Sequence, residues 1–116
     1  FLDPAVNGVF PESLVEILEQ DGVLWEHTED ELNILKENTV DFLGVNYYHP
    51  KRVQAPEFSE TFNGKWMPDK YFSDYEWKER RVNPYRGWEI YPKAIYDIAK
   101  NIQNNYHNIP WFISEN

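Results

Sequence analysis

Cysteine is absent from the 116 residues. That excludes a disulfide framework and any thiolate-bound metal site, and it permits a reducing compartment. Lysine and arginine are scarce, 11 against 20 aspartates and glutamates, which leaves a formal net charge of −9. A surface of that sign argues against nucleic acid or an anionic membrane as partner. The one local basic cluster, Lys78 to Arg81, sits among acidic and aromatic neighbours and reads as a solvated loop. Long apolar runs are missing too. No stretch approaches the ~18 residues of a membrane-spanning helix, and no charged-then-apolar leader opens the chain. The expectation is a soluble, cytoplasmic protein.

Aromatic residues are abundant, with five Trp, eight Tyr and seven Phe in a chain that is 41% hydrophobic and 27% charged. This is globular composition, and a chain of this length buries roughly two thirds of its unfolded surface. Aromatics serve cores first. They also line clefts for sugars and rings, so their excess leans towards a carbohydrate or aryl ligand.

Helical and strand periods alternate along the chain. In "FPESLVEILEQDG", Pro11 suits the first helical position, Leu14, Ile17 and Leu18 form a stripe, and Gly22 is a stop. "TEDELNILKEN" carries a capping box of Thr28 with Glu31, an apolar face of Leu32 and Leu35, and Asn38 as terminator. "VDFLGVNYY" places Val40, Phe42, Leu43 and Val45 in a nearly continuous apolar run, the pattern of a strand buried on both faces. Pro92 opens a third helix with Ile95, Ile98, Ala99 and Ile102 on one stripe, and "IPWFISEN" is a second buried strand. A strand, a crossover helix and a strand imply parallel pairing with a right-handed connection.

About forty residues between Tyr48 and Trp88 join the first strand to the third helix. A connection that long signals function, a wrong element assignment or an unrecognised hairpin, for which "VQAPEF" and "DYEWKERRV" have some β character. Two parallel strands also leave both sheet edges open, a template for self-association. The chain therefore reads as one unit, residues 1–116, that is an incomplete domain.

In parallel α/β folds, ligands bind beyond the carboxyl ends of the strands. Both strands end on polar residues, Asn46, Tyr47 and Tyr48 on the first and Ser114, Glu115 and Asn116 on the second. Glu115 is either a catalytic carboxylate held by a neighbouring tyrosine or simply the first solvated residue after a strand. His27, His49 and His107 are scattered without ligand spacing and read as loop histidines. No metal cluster, nucleotide-binding glycine loop or Ser-His-Asp arrangement is visible, so neither metal nor cofactor is expected.

Three motifs, "DFLGVNYY", "YRGWEIYPKAIYDIAKNI" and "IPWFISEN", together resemble glycoside hydrolase family 1, the β-glucosidase family of (β/α)8 barrels. The opening "FLDPAVNGVFPESL" looks like the segment after strand five of that family. The resemblance covers the whole chain, most weakly from Lys51 to Asn83. It implies an α/β fragment of a TIM barrel running roughly through helix five, strand six, a long loop, helix six and strand seven. "VNYYHPKRVQAPEF" with "GWEIYPKAIYDIA" looks most like the bacterial 6-phospho-β-glucosidases.

What the resemblance implies about residues is specific. Glu115 with Asn116 matches the nucleophile motif, Glu115 being the nucleophile of a retaining hydrolysis and Asn116 part of the substrate site. Tyr48 matches the tyrosine that orients the nucleophile, Asn46 a substrate-binding amide beside it, and Trp88 a tryptophan flanking the leaving-group side. The family's general acid/base lies in an Asn-Glu-Pro motif, which does not occur in the sequence. The expected substrate is a β-glucoside or 6-phospho-β-glucoside, cleaved to an aglycone and glucose 6-phosphate in the second case. The 116 residues alone are expected to be inactive, with their end cutting the nucleophile motif. The alternatives are a β-glucosidase or β-galactosidase of the same family acting on unphosphorylated sugar, and a non-catalytic carbohydrate-binding module.

Overall fold

A computed structural model describes residues 2–56 and 71–116. Its elements run in the order of a π-helical turn Asp3–Asn7, α1 Glu12–Gln20, α2 Glu29–Glu37, β1 Leu43–Asn46, β2 Val53–Gln54, β3 Ser73–Asp74, α3 Lys93–Asn105 and β4 Trp111–Glu115. They fall into two compact units, Phe1–Tyr47 with Ile95–Asn116, and Tyr48–Ala94. A single unit was expected from the sequence. The difference arises because the long connection organises around contacts of its own.

In the first unit the helix ends follow their local chemistry. Thr28 and Glu31 form the reciprocal capping box: the Glu31 carboxylate accepts from the Thr28 N–H at 2.8 Å, and Thr28 Oγ1 accepts from the Glu31 N–H at 3.3 Å. At the end of α1, Val23 N–H donates to Leu18 O and Gly22 N–H to Glu19 O, with Gly22 at φ +67°. This is the paired Schellman closure, which requires a left-handed residue at that position. Pro11 sits one position earlier than expected, as N-cap with ψ 130°, because its extended backbone precedes the first helical residue. The Asn38 side-chain amide closes α2 by donating to Ile34 O at 2.7 Å.

The π-helical turn has no counterpart in the sequence reading. Gly8 ends it at φ +69°, and a Cβ added there would lie 2.6 Å from Lys36 Cα. The turn and α2 thus touch backbone to backbone, and only glycine fits.

β1 and β4 pair in parallel, as the strand–helix–strand order requires. Leu43, Val6 and Ile102 are buried together, with Val45, Ile98, Tyr106, Ile109 and Trp111 packed around them. One face of the two-stranded sheet is therefore covered by α3 and the N-terminal turn. The other face is open: Phe42 is 61% exposed and Phe112 53%, their rings 6.1 Å apart. Within these 116 residues, the cluster formed by α3 and the turn covers one of the two faces expected to be buried.

The second unit contains a hairpin in the long connection, formed where the two stretches of β character begin. β2 pairs antiparallel with β3, Val53 opposite Asp74 and Gln54 opposite Ser73. Glu57 and Phe58, the end of the stretch expected to form it, lie outside the described residues. A second turn is held by a bridge between Val82 and Glu89. No helix among the described residues is long and apolar enough to cross a membrane.

Candidate active site

The carboxyl ends of β1 and β4 meet with a change of register. Leu43, Gly44 and Val45 face Trp111, Phe112 and Ile113 in step, but Asn46 pairs with Glu115 and skips Ser114. Trp111 and Ile113 lie on the covered face with Leu43 and Val45. Unbroken alternation would carry Glu115 onto that face too. The extra residue instead brings Glu115 level with Asn46. Irregularities of this kind re-aim side chains, and they are frequent next to active sites.

Two hydrogen bonds hold that end. Tyr47 N–H donates to Glu115 O at 2.9 Å, continuing the ladder past the slip. Ser114 Oγ donates to Asn46 Oδ1 at 2.6 Å. That bond uses the carbonyl oxygen of the Asn46 side chain, whose amide also carries two N–H donors. Asn116 follows β4 and is exposed.

In the second unit, Trp88 is the centre of a cluster. Tyr48 meets its ring at 5.5 Å between centroids, His49 stacks on it at 5.0 Å and 24°, and the Arg86 guanidinium lies 5.0 Å from its centroid. The local chain explains why Trp88 is presented there. Asn83 Oδ1 accepts from the N–H groups of Tyr85 and Arg86, Gly87 N–H donates to Asn83 O, and Asn83 N–H donates to Trp88 O. Gly87 adopts φ +70°, so the turn closes at a residue without a Cβ.

Beneath this turn lies a half-buried ion pair, with Glu89 buried and the Arg52 side chain 32% exposed. Arg52 Nε donates to Glu89 Oε2 at 2.7 Å and its Nη2 to Oε1 at 2.6 Å, a bidentate fork. The guanidinium also lies 4.8 Å from the Trp77 ring and 5.5 Å from Tyr91. Glu89 is 7% exposed. The Arg52 hydrogen bonds hold its carboxyl below the ordinary value of 4.5, against the opposing effect of burial. The same bonds push the Arg52 guanidinium above its usual range. A lowered carboxyl pKa contributes stability in full above the unfolded value, and loses it as pH falls through the folded one. Thermal unfolding from pH 7 downwards is therefore expected to show the wild type losing its margin over Glu89→Gln below about pH 4.5. A margin unchanged at pH 3 counts against this account.

Of the residues singled out in the sequence, Asn46, Glu115 and Asn116 lie at the strand ends of the first unit, and Tyr48 and Trp88 touch in the second. His49 was read as a plain loop residue, yet it stacks on Trp88. Arg86 and the Arg52–Glu89 pair were not singled out at all. Asn83-Pro84 with Gly87 is a legible turn signal, but nothing local marks a partner 37 residues away. Lys78, Glu79 and Arg81 are exposed as expected of a solvated loop, while Arg80 is tied to Glu76 and to Trp77 O. Among the described residues no three His, Asp or Glu side chains gather as a metal site.

A parallel sheet with a covering helix, and polar side chains at the strands' carboxyl ends, fits a segment of the α/β barrel class. Chain and fold comparisons are consistent with it. The whole chain, residues 1–116, matches glycosyl hydrolase family 1, and the protein belongs to that family. It is 51% identical over 116 residues to the 6-phospho-beta-glucosidase GmuD of Bacillus subtilis (strain 168), covering all of this chain and 25% of that relative. It is 30% identical over 122 residues to a bifunctional beta-D-glucosidase/beta-D-fucosidase of Bifidobacterium breve, again across all of this chain and 25% of the relative. The beta-glucosidase from Thermotoga maritima in complex with cyclophellitol superimposes with a TM-score of 0.64 at 29% identity, over 97% of this chain and 22% of the other. The chain thus spans about a quarter of the length of the relatives it matches.

Proposed function

We propose that the full-length protein is a cytoplasmic retaining β-glycosidase that hydrolyses 6-phospho-β-glucosides to glucose 6-phosphate and an aglycone. Glu115 is the nucleophile. Its carboxylate attacks the anomeric carbon on the face opposite the leaving group, and the bond from that carbon to the aglycone oxygen breaks as a second carboxyl group donates its proton. Water then cleaves the glycosyl ester, the second group now acting as base. In this retaining geometry the two carboxyl groups stand roughly 5 Å apart, and the second is supplied from outside these 116 residues.

The remaining roles follow from side-chain chemistry. A phenol O–H donated by Tyr48 favours the ionised nucleophile and fixes its direction. The N–H donors of Asn46 suit a sugar hydroxyl, Asn116 follows the nucleophile in the chain, and the Trp88 indole offers an apolar platform on the leaving-group side. The observation that carries the reading is the register slip that pairs Glu115 with Asn46 at the strand ends. The phosphate preference rests on the 51% identity to a 6-phospho-beta-glucosidase.

The test compares an aryl β-glucoside with its 6-phosphate as substrates of the full-length protein. The expected kcat/KM favours the phosphate by at least about 100-fold, because a site built to pair a charged group rejects the analogue lacking it. Equal or better turnover of the plain sugar keeps the family and removes the phosphate. The 30% identity to the beta-D-glucosidase/beta-D-fucosidase favours that second reading.

Expressed alone, the 116 residues are expected to show no turnover and to self-associate through the open edges of β1 and β4. Hydrolysis by the purified chain, or a monomer by analytical ultracentrifugation, counts against the respective expectation.

A further inference from the structure

The half-buried Arg52–Glu89 fork has a place in the fold that a generic ion pair does not need. Glu89 directly follows Trp88 in the chain, and Arg52 lies three residues after His49 and four after Tyr48, the two rings that contact Trp88. The fork therefore joins the two chain segments at the point where they make the aromatic cluster. Further bonds run alongside it. Val82 bridges Glu89 and Ile90 N–H donates to Arg81 O, so the turn bearing Trp88 is anchored on one side. Tyr75 N–H donates to Arg52 O, so the Arg52 segment is anchored to β3 on the other. The fork spans the two, alongside the Arg52 contact with the Tyr91 ring. It forms part of the wall of a cleft of about 610 Å³, shared with His49, Lys51, Arg80 and Gly87.

Energetics do not require such a pair here. A buried ion pair is weak evidence for stability, since well-packed apolar residues of similar volume serve as well or better. What a bidentate fork supplies is fixed geometry, because both partners are planar and two parallel bonds define one mutual orientation. We infer that Glu89, acting through Arg52, is a positioning residue that holds Trp88 against Tyr48 and His49, and so sets recognition of the leaving group. The inference rests on the proposed role of Trp88 and names the device behind it.

The experiment is a double-mutant cycle in the full-length enzyme, with Glu89→Gln, Trp88→Phe and the pair. Two substrates differ only in leaving group, one aryl and one methyl β-glycoside, each in whichever sugar form the enzyme turns over. Glu89→Gln is expected to raise KM for the aryl substrate about tenfold more than for the methyl one, with kcat changed less than KM. The double variant is expected to be no worse on the aryl substrate than the poorer single, because both remove the same placed ring. Arg52→Lys, which keeps the charge and loses the fork, is expected to repeat the effect and serves where Glu89→Gln folds poorly.

A merely structural pair lowers the active fraction, and hence apparent kcat, for both substrates alike. That pattern, or additive effects in the cycle, overturns the inference. If Trp88→Phe leaves the aryl preference untouched, the reading of Trp88 has failed and the inference falls with it. This result is distinct from the one in which Trp88 matters and Glu89 does not couple to it.

Discussion

Glu115→Gln in the full-length protein is expected to lower kcat on the order of 10⁴-fold or more, with KM changed far less. Glutamine keeps the size and planarity of the carboxylate but has no charge to attack the anomeric carbon, so no glycosyl ester forms. Binding of the sugar by neighbouring groups survives, which is why the loss falls on kcat. Burst kinetics that accumulate a covalent intermediate in the wild type should vanish in the variant. Glu115→Ala provides a sharper version. A small anion such as azide fits the vacated space and attacks from the same side as the lost carboxylate, so the product is an α-glycosyl azide. Full activity of Glu115→Gln would reduce the end of β4 to a solvated strand terminus. A loss of activity without azide rescue, or a β-configured product, would separate a structural glutamate from a nucleophilic one.

Ile102→Ala is expected to destabilise the protein by about 2–5 kcal/mol, and Ile102→Val by about 0.5–1.5 kcal/mol. Ile102 is 1% exposed and lies with Val6 and Leu43 at the centre of the buried cluster. Removing its outer carbons leaves a void bounded by α3, β1 and the N-terminal turn, and main-chain elements of three kinds cannot all relax into it. The graded pair matters more than either value. A cavity mechanism requires the alanine variant to lose at least about twice what the valine variant loses, as read from urea-unfolding midpoints. Similar losses in the two would point instead to a change in the unfolded state. The functional consequence is indirect. Leu43 and Trp111, which begin the strands ending at Asn46 and Glu115, pack in this cluster, so a loosened core is expected to lower kcat before it abolishes folding.

Much of the molecule was legible from local patterns. The capping box at Thr28, the glycine closure after α1 and the apolar stripe of α3 depend on residues three to five positions apart, and the chain alone enforces those spacings. Parallel pairing followed from the order of strand, helix and strand. The candidate site was legible for a related reason: polar residues stand where two apolar runs stop, and Asn46, Tyr48, Trp88 and Glu115 lie in motifs that resemble those of the family to which the chain belongs.

Other features depend on what lies opposite. A run such as Phe42 to Val45 is apolar on both faces whether or not anything covers them, and only packing left Phe42 and Phe112 in solvent while burying Leu43. Alternation along β4 alone points Glu115 towards the covered side; its pairing with Asn46 arises from a slip across the strands that no single-strand period contains. The Arg52–Glu89 fork joins residues 37 positions apart in a stretch without periodicity, where each charge taken singly looks like any surface residue. Local hydrogen bonding and hydrophobic spacing set the elements, and therefore belong to the sequence. Register, the choice of covered face and distant charge pairing are settled only when separate segments compete for the same space, and so belong to the tertiary structure.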